Sequence, residues 1–246
     1  MKKIEHSIAL VTGANRGIGK AIVEELLARG ASKVYAGVRN TDSTKSLVAQ
    51  YGNRVVPLEL DVTNKGHIAA AASAAPDVQI LVNNAGIVSG MGRSITENEQ
   101  GFRDELEVNV FGPLAMATAF RSAIESTRGV IVNLNTVGSL VSFPMAPSYS
   151  ASKAASHSIT QALRLELGPK GVSVIGVYPG PVDTDMAAEI TWPKETPQQV
   201  AREILDAVES GVDDVFPDDM ARDIQRQYGE EPKKLELSMA TMAAAG

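Results

Sequence analysis

Short apolar runs alternate along this chain with stretches of helical period, and that alternation restricts its possible folds more than any other feature. Strands are expected at Ile8 to Val11, Lys33 to Gly37, Arg54 to Glu59, Gln79 to Val82, Val130 to Leu134, Val172 to Val177 and Asp214 to Phe216. Runs that are apolar on consecutive residues need cover on both faces, as in a parallel sheet between helical layers. The expected fold is therefore α/β: one doubly wound, parallel, seven-stranded sheet with helices on both faces. No repeat or flexible linker divides the 246 residues, so a single domain over 1–246 is expected. In such sheets ligands sit at the carboxyl ends of the strands. Gly13, Arg39, Asp61, Asn84, Thr136 and Gly180 all fall just after expected strands, where one cleft can collect them.

The first of these turns reads Thr12-Gly13-Ala14-Asn15-Arg16-Gly17-Ile18-Gly19, between the first strand and a helix expected from Gly17 to Arg29. Glycines there permit close approach of backbone to ligand, and the free amides at the helix start attract phosphate. The glycine spacing is wider than the common dinucleotide fingerprint. On its own the turn fits plain turn chemistry equally well; its place between strand and helix favours a phosphate cradle.

A second segment, Tyr149-Ser150-Ala151-Ser152-Lys153, opens a long helix expected from about Pro147 or Ser148 to Leu167, stopping before Gly168-Pro169. Tyr149 and Lys153 are four apart and share a helical face. Bringing a phenol from about 10 to near 7 takes roughly 4 kcal/mol. One cation about 4 Å away at an effective dielectric of about 20 supplies energy of that order. Tyr149 can then act as a general acid or base.

With these two segments the chain resembles the short-chain dehydrogenases/reductases of the compact type. The resemblance runs from Ile8 to about Thr184 and includes Asp61-Val62, Asn83-Asn84-Ala85-Gly86, Asn109 and Pro179-Gly180-Pro181-Val182-Asp183-Thr184. It implies a Rossmann-type fold that binds a nicotinamide dinucleotide. Gly13, Asn15, Arg16, Gly17, Ile18 and Gly19 would cradle the phosphates. Asp61 would meet the adenine, with Val62 beside it. Asn84, Ala85 and Gly86 would support the cofactor and the central sheet. Pro179, Gly180, Val182 and Thr184 would border the nicotinamide, with Thr184 on its carboxamide. Tyr149 would be the acid/base, Lys153 would hold the ribose and polarise the tyrosine, and Asn109 would hold a water in a proton relay. The family usually has a serine thirteen residues before the tyrosine; here that residue is Thr136. Its hydroxyl has the same donor and acceptor capacity, and its methyl restricts the rotamer. Ser139 is expected as a pocket residue of the same loop.

An acid after the second strand commonly serves NAD, and an arginine serves the extra phosphate of NADP. Here Arg39 ends that strand and Arg16 lies in the glycine turn, so NADP(H) is expected. The alternative is that one or both arginines are solvated surface charges. The expected pocket residues, Val88, Met91, Ser139, Val141, Phe143, Met145, Met186, Ile190 and Trp192, are mostly apolar and carry no fixed charge. A neutral hydrophobic ketone or secondary alcohol suits them. Residues 185–195 have no strong core pattern and are expected to form a lid.

A net charge of −6 disfavours nucleic acid and anionic membrane as partners. No run approaches the roughly 20 apolar residues of a membrane span. The start, Met1-Lys2-Lys3-Ile4-Glu5-His6, does not read as a signal peptide, so a cytoplasmic location is expected. With no cysteine, and with His6, His67 and His157 far apart, no metal site is expected. The expected activity is that of an NADPH-dependent carbonyl reductase or alcohol dehydrogenase. The alternatives are a 3-oxoacyl-carrier-protein reductase and a catalytically silent NADP-binding regulatory protein. The resemblance also implies a homotetramer, paired through helices at roughly Glu99 to Ser126 and Ser148 to Leu167 and through a late strand and helix. The role of the tail after Phe216, which ends Ala243-Ala244-Ala245-Gly246, is not legible.

Overall fold

The computed structural model describes residues 2–244; Met1, Ala245 and Gly246, which belong to the expected 1–246 span, lie outside the described residues. The order is β1 (Ile8–Thr12), α1 (Gly17–Ala28), β2 (Lys33–Val38), α2 (Lys45–Tyr51), β3 (Val55–Glu59), α3 (Lys65–Ala74) and β4 (Ile80–Asn83). Then follow α4 (Glu99–Leu106), α5 (Gly112–Ser126), β5 (Val130–Leu134), α6 (Pro147–Leu167), β6 (Ser173–Val177), α7 (Pro197–Ser210), β7 (Asp214–Val215), α8 (Asp219–Glu230) and α9 (Pro232–Ala244). The strands form one seven-stranded sheet in the order β3-β2-β1-β4-β5-β6-β7, every pair parallel. The order in which the chain adds strands reverses between β1 and β4, which opens a crevice at their carboxyl ends.

Burial explains why the central strands read as unbroken apolar runs. Residues Val130 to Leu134 are buried throughout, and the sheet carries a separate apolar core on each face. One includes Ile22 and Leu26 of α1 with Val200, Ile204 and Leu205 of α7. The other includes Ile68 of α3, Met116 and Phe120 of α5 and Leu163 of α6.

Helix ends follow local capping. Thr196 accepts from the amide of Gln199, Pro197 takes the first helical position, and Gly211 closes α7 at φ +79°. Such an N-cap contributes about 1 kcal/mol. The α3 helix begins at Lys65 because the Asn64 side chain accepts from the amides of Gly66 and His67. The helix expected as one piece from Glu99 to Ser126 is α4 and α5 joined by a π turn at Glu107–Phe111. Pro113 has no N–H to return to the Asn109 carbonyl four residues earlier, so the regular ladder cannot pass unbroken. The tail after Phe216 folds as α8 and α9, which close a third apolar cluster over Val137 and Val141.

Candidate active site

A cleft of about 890 Å³ runs along the carboxyl ends of the strands. Thr12, at the end of β1, fixes its floor. Its hydroxyl donates to the Val82 carbonyl at 3.3 Å and accepts from the amides of Asn84 and Ala85, each at 2.9 Å. The Asn84 side chain returns to the Thr12 and Gly13 carbonyls at 2.8 and 3.2 Å. This clamp joins the strands on either side of the switch point.

The glycine turn is as tight as its sequence requires. A Cβ on Gly19 would stand 2.2 Å from the Gly13 carbonyl oxygen, and Gly13 sits at φ +66°. Only glycine meets both demands. Arg16 caps α1 without a side-chain bond, so no side chain competes for the amides of the first helical turn. Those amides face a cleft lined by Gly13, Asn15, Arg16, Gly17, Ile18 and Gly19. The cradle fits a pyrophosphate.

Arg39, Asp61 and Val62 line the same end, with Asn84, Ala85 and Gly86 in the middle. The amide and hydroxyl of Thr63 donate to the Asp61 carboxylate at 2.9 and 2.7 Å and hold its pKa below the usual range. Pro179, Gly180, Val182 and Thr184 form the facing wall. Arg16 crosses the opening to pair with Asp185 at 2.6 Å.

Tyr149 and Lys153 lie at the inner end of the cleft. Lys153 is 4% exposed; its ammonium donates to the Leu134 carbonyl at 2.6 Å and lies 5.8 Å from the centre of the Tyr149 ring. Burial brings the lysine down to about 8. The Tyr149 phenol is pushed above its ordinary value, first by burial and then by the charge of Glu105. Sequence reasoning expects Lys153 to draw this phenol toward neutrality. Here the lost hydration of the phenolate and a nearby carboxylate outweigh a lysine aimed at Leu134.

Asn109 is not in the cleft wall. It stands behind Gly86 in the π turn, where its amide exchanges hydrogen bonds with the backbone of Ile87 and donates to Ser152 at 3.0 Å. Thr136 does line the cleft, but its hydroxyl donates to the Pro179 carbonyl at 3.0 Å and accepts from the Gly138 amide. In this geometry its single proton is turned from the substrate position that sequence reasoning gives it.

The outer end is apolar. Val88, Met91, Phe143, Met145, Met186, Ile190 and Trp192 line it, and the Phe143 and Trp192 rings lie 6.2 Å apart. Two expected pocket residues need correction. Ser139 turns inward to accept from the Thr136 amide, closing a capping box. Val141 packs under α8 and α9. Sequence reasoning also missed Leu134, whose carbonyl orients Lys153, and Asp185, whose carboxylate holds Arg16. Neither carries a spacing signal, since one acts through backbone and the other across a long loop. The unused signal for Thr12 was a hydroxyl at the end of the first strand.

Comparison with known proteins agrees with this geometry. The short chain dehydrogenase family matches residues 7–195. An uncharacterized oxidoreductase of Staphylococcus epidermidis is 35% identical over 214 residues, covering 85% of this chain and 91% of that protein. The NADPH-dependent 1-acyldihydroxyacetone phosphate reductase of Saccharomyces cerevisiae is 34% identical over 194 residues, 76% of this chain and 65% of that protein. A short chain dehydrogenase from Burkholderia cenocepacia, solved in complex with NADP, superposes with a TM-score of 0.91 at 40% identity, covering 97% of this chain and 99% of that one. The chain belongs to the short-chain dehydrogenase family and is an oxidoreductase of that family. Among the described residues no helix is long and apolar enough to cross a membrane.

Proposed function

We propose that this chain is an NADPH-dependent carbonyl reductase acting on neutral, hydrophobic ketones, with alcohol oxidation as its reverse. The observation that carries the reading is one cleft with a glycine cradle at one end, Tyr149 beside Lys153 at the inner end, and an uncharged apolar wall beyond. The NADP of the Burkholderia structure and the NADPH dependence in the yeast relative's name support the cofactor. Arg39 and Arg16 are the groups that would meet its additional phosphate.

When bound, NADPH supplies the hydride that reduces the carbonyl carbon. Tyr149 donates its hydroxyl proton to the carbonyl oxygen as charge develops there. The Lys153 ammonium stabilises the phenolate left behind. Asn109, fixed by Ile87 and Ser152, holds the water that returns a proton. Thr136 joins Tyr149 on the substrate oxygen by turning its hydroxyl away from Pro179. Residues 185–195 act as the lid of a single catalytic domain, and the enzyme works as a cytoplasmic homotetramer.

The test is NADPH oxidation against a panel of neutral aryl, alkyl and cyclic ketones and a 3-oxoacyl thioester, with NADH in parallel. Turnover is expected on the hydrophobic ketones. Tyr149→Phe is expected to lower it by about 10²–10⁴-fold while NADPH still binds. Undiminished turnover in that variant would remove Tyr149 from the mechanism.

A further inference from the structure

Glu105, on α4, is 0% exposed. Its Oε1 accepts from the Ser89 amide at 2.8 Å, and its Oε2 is buried with no partner. A carboxylate so placed gives up hydration for one hydrogen bond, and apolar side chains of similar length would fill the site without that cost. Its surroundings indicate what the charge does. Ser89 belongs to the loop after β4 that carries Val88 and Met91 into the apolar end of the cleft. The Ser89 hydroxyl donates to the Gly101 carbonyl on α4. Asn98, at the start of α4, donates to the hydroxyl of Ser148, the residue before Tyr149. The α4 helix thus ties one wall of the substrate end to the start of the helix bearing the proton donor.

Resting on the reading above, we propose that Glu105 is a positioning residue for the Tyr149 proton site. Its buried carboxylate fixes the wall at Ser89 and keeps the Tyr149 hydroxyl in its proton-donating form, biasing the site toward carbonyl reduction.

Beside burial, two charged side chains act on the Tyr149 hydroxyl. Lys153, on its own helix, favours the phenolate. Glu105, from α4, opposes it, and its charge is the second cause, after burial, of the raised phenol. The facing loops, 86–91 and 136–146, contain no charged side chain. Across the cleft stand Asp183, which is exposed, and Asp185, which is paired with Arg16. Removing the negative charge at 105 therefore makes proton loss from Tyr149 easier. Alcohol oxidation, which begins with the phenolate, gains at lower pH; carbonyl reduction, which needs the phenol, loses ground there.

Glu105→Gln removes the charge and keeps an oxygen to accept from Ser89. The full-length chain with saturating NADP⁺ is titrated by ultraviolet absorbance, with Tyr149→Phe subtracted to isolate the Tyr149 signal. The tyrosinate fraction at a given pH is expected to rise on the order of tenfold, one pKa unit. The rising limb of kcat for alcohol oxidation should move to lower pH by a matching amount. Glu105→Met, of similar length, gives the same reading if the glutamine variant folds poorly. A Tyr149 titration that coincides with the unaltered chain in these variants would overturn the proposal, because a purely structural role leaves it unmoved. Absence of turnover on every carbonyl counts against the proposed function alone, and the spectroscopic titration still decides the role of Glu105.

Discussion

Arg39 stands at the carboxyl end of β2, on the wall of the cleft, and no ion pair engages it among the described residues. Arg16 is already paired with Asp185, but both partners are well exposed, and exposed pairs are worth about 0–1 kcal/mol. A phosphate can therefore recruit either arginine at little cost. Arg39→Asp is expected to cut the preference for NADPH over NADH by about 10- to 100-fold, the range for losing a hydrogen bond to a charged group. The ratio of kcat/KM values measures it, and an unchanged ratio would return Arg39 to the surface. The residues legible in the sequence were those with a spacing: the glycines, and Tyr149 four before Lys153. Glu105 was invisible, since it lies in Glu99-Gln100-Gly101-Phe102-Arg103-Asp104-Glu105, where charges read as a solvated face. Ser139 and Val141 sit in a loop whose path depends on α8 and α9, and no local rule tells which of its side chains turn inward.

The elements that carry the site were legible to the extent that their ends are written locally. Strands buried on both faces announce themselves, and β1, β2 and β5 begin where the sequence places them. The π turn was not legible as such, because the break follows from Pro113 acting back on Asn109 across a turn. The proposed function assigns the lid to the segment after β6. Its base is closed: the Asp183 amide donates to the Glu195 carbonyl at 2.8 Å, and the Glu195 amide to the Pro181 carbonyl at 2.9 Å. Between these ties lie a short 3-10 turn at Asp185–Ala187, the exposed Met186 and the Arg16–Asp185 pair. A flap on fixed hinges would be built this way. Amide hydrogen exchange is expected to be fast over 185–192, slow in β4 and β5, and markedly slower over 185–192 once NADPH binds. Exchange as slow as the central strands in both states would reject a lid.

The whole molecule presents two helices whose outward faces are unusual for a solvated surface. Along α6 the exposed positions Ala154, Ser158, Gln161, Ala162 and Leu165 carry no charge and Leu165 is 80% exposed, while the exposed Glu166 beside them is paired with Arg121 of α5. On the neighbouring run, Phe111 is 52% exposed, and Thr118, Ala119 and Ser122 continue the same uncharged face along α5. Small residues let helices approach closely, and a large apolar side chain left in water forfeits about 1.5–3 kcal/mol relative to burial. Both helices pack on the same face of the sheet. A homotetramer is expected, seen by light scattering as four chain masses. Leu165→Asp would set a carboxylate into each paired α6 face, where burying an unpaired charge costs several kcal/mol. That variant should run at a lower mass while keeping its helical content. An unaltered chain that scatters as a monomer would mean these faces stay in water, and the assembly expected from the family would not apply.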